Sequence, residues 1–190
     1  MLKAGIVMEL SFFGCNALKK KTMVNNNLPH NARTWVYQST RKLSLAEGIS
    51  IRQRINGFVE QWTSHKANVM GWGDLLYDRF IILMADEEHV SLGGCSIDSS
   101  VRFIKGLEVE FQTRFFDRWN IAYRKGNEVL SAGREEFIKL LEAGEITDDT
   151  IIFNNLVQTK QDLLQKWQVP YRESWVKEIA LTNTSFHSLL

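Results

Sequence analysis

Arg79-Phe80-Ile81-Ile82-Leu83-Met84-Ala85 is a nearly unbroken apolar run of strand length. A strand with one wet face alternates apolar and polar residues, whereas a continuous run is expected of a strand covered on both sides. The run therefore predicts the centre of a sheet. Upstream, Thr34-Trp35-Val36-Tyr37-Gln38 is β-branched and aromatic and reads as a first strand. Between the two, Ser44 with Glu47 three residues later is a capping-box pattern. Ile51, Ile55, Phe58, Val59 and Trp62 then follow at i, i+4, i+7, i+8 and i+11, which predicts a helix with one apolar face.

Downstream, Asp86, Glu87, Glu88 and His89 lead through Gly93-Gly94-Cys95-Ser96-Ile97-Asp98-Ser99-Ser100 to Val101, Ile104, Leu107 and Phe111 at helical spacing. This predicts a strand, a connecting loop and a second helix that opens on small hydroxyl residues. Lys125-Gly126-Asn127 separates two strand-like runs, 119–124 and 128–131, as a tight hairpin turn. A third helix is expected from Arg134 to Glu142, closed by Gly144, and a short one from Gln161 to Trp167, stopped by Pro170. For 147–157 the signals conflict. Thr147 with Asp148 and Asp149 suits a helix start, while Thr150-Ile151-Ile152-Phe153 suits a strand; the reading leans to helix.

These elements predict an α/β (α+β) fold: one domain over residues 31–176, a mixed sheet of about four or five strands flanked by helices, and one antiparallel hairpin. The 190 residues are enough to bury about 70% of the unfolded surface. With 44% hydrophobic residues, two prolines and a net charge of +1, disorder and collagen-like repeats are excluded. Two cysteines, Cys15 and Cys95, make neither a disulfide framework nor a four-cysteine zinc site, so a reducing, cytoplasmic setting is expected.

Residues 1–22 end in Lys19-Lys20-Lys21 but make a poor targeting segment, because Glu9 interrupts a short apolar run and the basic cluster follows it. They read as a non-core extension or an over-called start, with translation beginning at Met23. Without them, 19 basic residues face 21 acidic ones, net −2, which removes the positive field that nucleic-acid binding uses. Neither nucleic acid nor membrane is an expected partner. Residues 180–190 are expected to be a loose tail.

Gly93–Ser100 is the leading candidate site. Free amide hydrogens at a helix start, glycines that permit close approach and nearby hydroxyls form a generic site for phosphate or carboxylate, with Gly93, Gly94, Ser96 and Ser99 as ligand-binding candidates. Cys95 is a candidate nucleophile or redox thiol, Asp98 and His65 are the further catalytic candidates, and Asp86 or His65 would serve as a polar partner of the ligand. A tyrosine-phosphatase loop is excluded by counting, since Cys-x5-Arg would place arginine where Val101 stands. The bland alternative is that the glycines make a turn, Ser96 or Asp98 caps the helix and Cys95 is buried. Asp86 and Glu87 are metal-ligand candidates at a strand end, although neighbouring strand residues point to opposite faces and a solvated acidic loop is the better reading. No histidine pair has ligand spacing; His30 and His187 fall in expected tails, and no cofactor is implied. Asn154 and Asn155, if helical, cannot share a face. The six tryptophans read as core or interface, with Trp72, in Gly71-Trp72-Gly73, the most loop-like.

Trp35-Val36-Tyr37-Gln38, Trp62 with His65, Arg79–Leu83, Gly94–Val101, Phe153-Asn154-Asn155-Leu156-Val157 and Ser174-Trp175 together resemble a family of small bacterial proteins catalogued as "ABC transporter ATPase". The likeness covers roughly residues 31–176 and is most specific in Gly94–Val101 and Phe153–Val157. The family pattern carries a histidine directly after Ser-Trp, where this chain has Val176, so no role passes to that position. The family label implies ATP binding. However, a P-loop needs G-x-x-x-x-G-K-[ST], and none of the twelve glycines precedes a lysine; Ser91-Leu92-Gly93-Gly94-Cys95 shares little more than its glycine pair with the Leu-Ser-Gly-Gly-Gln signature. P-loop ATP hydrolysis is expected to be absent. Two functional readings remain: a domain that binds a small phosphorylated or carboxylated ligand at Gly93–Ser100, or a noncatalytic interaction or homodimerisation module.

Overall fold

The computed structural model describes residues 27–88 and 90–178. The expectations placed on residues 1–22, Cys15, His89, His187 and the 180–190 tail lie outside them. The elements run β1 (Arg33–Gln38), α1 (Leu45–Gln61), β2 (Thr63–Ser64), β3 (Ala67–Asn68), β4 (Met70–Leu76), β5 (Phe80–Asp86), α2 (Gly94–Phe111), β6 (Ile121–Lys125), β7 (Glu128–Ala132), α3 (Arg134–Glu142), β8 (Ile151–Phe153), α4 (Lys160–Lys166) and β9 (Gln168–Pro170). A 3₁₀ turn, Tyr171–Glu173, follows.

The fold is α/β in a single unit, with its strands shared between antiparallel sheets: β1-β5-β4, β7-β6-β8-β9 and the small β2-β3 hairpin. β5 is the middle strand of its sheet, as its apolar run predicts. Its two faces cover different layers. Ile81 and Leu83 pack with Ile51 and Ile55 of α1 and Ile104 and Leu107 of α2, while Phe80, Ile82 and Met84 meet Ala122, Phe153 and Trp167 of the second sheet and its flank. On the far face of that sheet, Ile121, Tyr123 and Ile152 pack against Phe137 of α3. The order of layers is therefore helices, sheet, sheet, helix. Two sheets stand where one was expected, because an all-apolar strand announces that both faces are covered but not by what.

The Ser44–Glu47 capping box closes the start of α1, and Gly144, at φ +72, follows the end of α3. Gly126, at φ +60, turns the β6–β7 hairpin. Three readings are corrected. The 147–157 stretch is a turn and strand β8, not a helix: Ile152 and Phe153 are both buried on opposite sides, which adjacent residues manage only in a strand. Trp72 lies in β4 rather than a loop, since Gly71 and Gly73 carry no side chain on the face that α1 presses against. Pro170 does not stop α4; it ends β9, opposite Ile151. Among the described residues, no helix is long and apolar enough to cross a membrane.

Candidate functional site

The start of α2 opens into a cleft of about 770 Å³. Gly93 is the N-cap and offers no side-chain cap, so neither Ser96 nor Asp98 fills that role. The Ser96 and Ile97 amides donate to Gly93 O at 3.0 and 3.2 Å, and the Gly93 amide donates to Ser64 Oγ at 3.1 Å. The Gly94 and Cys95 amides meet no acceptor among the described residues, and both residues line the cleft. These are the unpaired donors that every helix start creates, here left open to solvent rather than sealed. Ser96 is 2% exposed at the cleft floor, and its hydroxyl also has no partner among the described residues. An unpaired buried hydroxyl is costly unless something else supplies the bond.

His65 reaches the site from the β2–β3 hairpin. His65 and Lys66, at φ 51 and 69, form its turn in a left-handed conformation that is uncommon for residues other than glycine. The hairpin is anchored where Ser64 Oγ donates to Ser91 O at 2.8 Å. His65 Nε2 then lies 2.8 Å from where a side chain on Gly93 would begin, so only glycine leaves the imidazole at the helix mouth. Ser99 Oγ donates to Ser96 O at 2.7 Å, and Trp62 Nε1 donates to the same carbonyl at 3.1 Å. Arg102 adds an exposed guanidinium that forms no ion pair among the described residues. Phe58 and Phe103, stacked with centroids 4.4 Å apart, join Trp62 in an aromatic wall.

Thus His65, Gly93, Gly94, Cys95, Ser96 and Ser99 line one cleft, and Cys95 is exposed rather than buried. Asp98 is exposed but is not part of the cleft wall. Asp86 and Glu87 do not join the site. Asp86 is 7% exposed and its Oδ1 accepts from the Glu88 amide, while Glu87 Oε1 accepts from Arg33 and from the Leu92 amide. Among the described residues, no group of three His, Cys, Asp or Glu side chains is placed to hold a metal. His30 lies away from the cleft, its carbonyl accepting from the Gln161 amide. Asn155 is not helical; its side chain joins a part-buried amide chain with Gln38 and Trp167. The tryptophans divide: Trp62 and Trp167 are buried, whereas Trp119 is 52% exposed.

No family model, curated protein or solved structure matches this chain. The site must therefore be judged on its own chemistry. Sequence reasoning overlooked Arg102 and the Phe58–Phe103 wall, which also line this cleft. Arg102 was within reach of periodicity, because Cys95, Ser99 and Arg102 sit at i, i+4 and i+7 on one helix face. The aromatic wall joins two helices and has no local signature.

Proposed function

We propose that the protein binds a small phosphorylated or carboxylated ligand at the start of α2. The observation that carries this reading is that two unpaired amides, Gly94 and Cys95, open into the same cleft as His65 and Arg102. Amide hydrogens at the positive end of a helix, beside a guanidinium, favour an anion. The Ser96 and Ser99 hydroxyls supply further polar groups, and Phe58, Trp62 and Phe103 accommodate a planar or apolar body attached to the anionic group. Cys95 contributes its amide to this binding, and any role for its thiol is separable from it. The likeness to the family labelled "ABC transporter ATPase" agrees with a phosphate-bearing ligand; P-loop hydrolysis is no part of the proposal, since no glycine precedes a lysine.

A thermal-shift screen of inorganic phosphate, nucleotides, sugar phosphates and dicarboxylates tests it. An anion at about 100 times its Kd adds about 2.7 kcal/mol, or about 5–10 °C in Tm for a chain of this size. Arg102→Gln should reduce the shift, whereas Cys95→Ser, which preserves the amide, should leave it intact. Absence of any shift across the set would reject the reading. The alternative, a noncatalytic interaction or homodimerisation module, draws on Leu45 and Ile49, exposed at 75% and 51% one turn apart on α1. It requires a concentration-dependent dimer in sedimentation that Leu45→Lys with Ile49→Lys abolishes.

A further inference from the structure

A second cleft, of about 670 Å³, lies between β1 and the loop that leads into β6. Its walls are largely apolar, with Val36 and Phe153 inside and Phe116, Trp119 and Leu156 at the rim, exposed at 40%, 52% and 64%. Beside it runs a chain of part-buried amides. Trp167 Nε1 donates to Asn155 Oδ1 at 3.1 Å, Asn155 Nδ2 to Gln38 Oε1 at 2.7 Å, and Gln38 Nε2 to the Asn120 carbonyl at 2.6 Å. That chain consumes acceptors, and two donors remain over. Asn120 Nδ2 and Trp175 Nε1 are both buried, both without a partner among the described residues, and both belong to residues that line this cleft. Buried polar groups are nearly always paired, so two unpaired donors in residues of one cleft wall call for an acceptor from beyond the described residues.

Charge narrows the acceptor. Arg118 lines the cleft and forms no ion pair among the described residues. The one carboxylate in the lining, Asp117, is neutralised by Arg114 at 3.1 Å and accepts from the Trp119 amide. Arg134, outside the lining, stacks its guanidinium 5.3 Å from the centre of the Trp119 ring. We infer that this cleft binds a small monocarboxylate with an apolar body: the carboxylate accepts from Asn120 and Trp175 and faces Arg118, and the hydrocarbon part lies against Phe116, Trp119 and Leu156. The two clefts share no lining residue, so this site stands or falls separately from the one at α2.

The test uses the full chain with 4-phenylbutyrate, indole-3-acetate and octanoate, each set against the matching primary alcohol. Binding is followed by calorimetry and by the indole N–H resonance of Trp175. At least one acid should bind saturably and about tenfold or more tighter than its alcohol, with the Trp175 resonance shifted; a hydrogen bond to a charged partner has about this effect. Trp175→Phe, which keeps the ring packing, and Asn120→Ala should each weaken binding about tenfold. Arg118→Gln should erase the preference for acid over alcohol, and Arg102→Gln should change nothing. The inference is overturned if no acid binds below about 10 mM, if acids and alcohols bind equally, or if Trp175→Phe binds as the parent does.

Discussion

Glu47 accepts from the Ser44 amide at 2.7 Å and from both terminal nitrogens of Arg41, at 3.0 and 2.6 Å, while Arg41 also donates to Phe111 O at 2.7 Å. One carboxylate thus caps α1 and, through Arg41, ties its start to the end of α2. The Arg41 hydrogen bonds, then the Ser44 amide, lower the Glu47 pKa from 4.5 to about 2. A carboxylate whose pKa falls on folding stabilises the native state above its unfolded value and loses that contribution as pH drops through its folded value. Stability from Glu47 should therefore be complete above about pH 4.5 and vanish toward pH 2. The side chain is near the surface, so its share is set at about 1 kcal/mol, as for a typical cap, rather than by the full shift. Urea melts of Glu47→Gln between pH 2 and 7 should show that loss near neutrality and convergence with the parent at pH 2. A gap that does not depend on pH would mean that packing, not charge, is responsible.

Strand β4 shows how an element can be built from what it lacks. A Cβ on Gly73 would sit 2.6 Å from Ile55 Cγ2 and 2.8 Å from Leu83 Cδ2, and one on Gly71 would sit 3.1 Å from the Trp62 ring. These absent side chains let α1 lie directly on the sheet, and Trp62, held by that approach, forms one wall of the cleft at α2. Gly57, in the middle of α1, has nothing within 4 Å of the equivalent position. The same substitution should act in opposite directions at the two sites. Gly73→Ala should cost about 1–3 kcal/mol through overpacking, and Gly57→Ala should gain about 0.5–1 kcal/mol from helix propensity and a less flexible unfolded chain. Chemical denaturation of both variants checks this, and a Gly73→Ala protein as stable as the parent would show that α1 is free to shift.

Across the whole molecule, the two sheets are held by one shared core. Trp167 packs on Phe80 of the first sheet and Phe153 of the second, with ring centroids 5.1 and 5.2 Å away, and its indole starts the amide chain to Gln38 on β1. Arg79 adds a polar link, donating to Ser131 Oγ at 2.7 Å and to Ser39 O at 3.3 Å. A core spanning both sheets should melt as one unit. Tryptophan fluorescence and far-UV circular dichroism should give coincident urea transitions, and Trp167→Ala should lower stability by about 3–5 kcal/mol without separating them. Two resolved transitions would mean that the sheets fold independently.

The capping box of α1, the central place of β5, the Gly126 hairpin, the Gly144 helix end and the polar glycine-led start of α2 were legible in the residues, because each depends on neighbours within about four positions. Cys95, Ser96 and Ser99 were legible as candidate site residues for the same reason, and all three line the cleft at α2. Local signals misplaced Thr147–Val157, where two aspartates outweighed an Ile-Ile-Phe run whose burial between layers only the folded chain reveals. They gave no hint of a second sheet, of the Phe58–Phe103 wall, or of Asn120 and Trp175 carrying donors unpaired among the described residues. Local propensity and periodicity set which segments are helix or strand and which faces are apolar. What covers each face, and which distant polar groups end without a partner, depends on long-range packing, which a pattern along one chain does not encode.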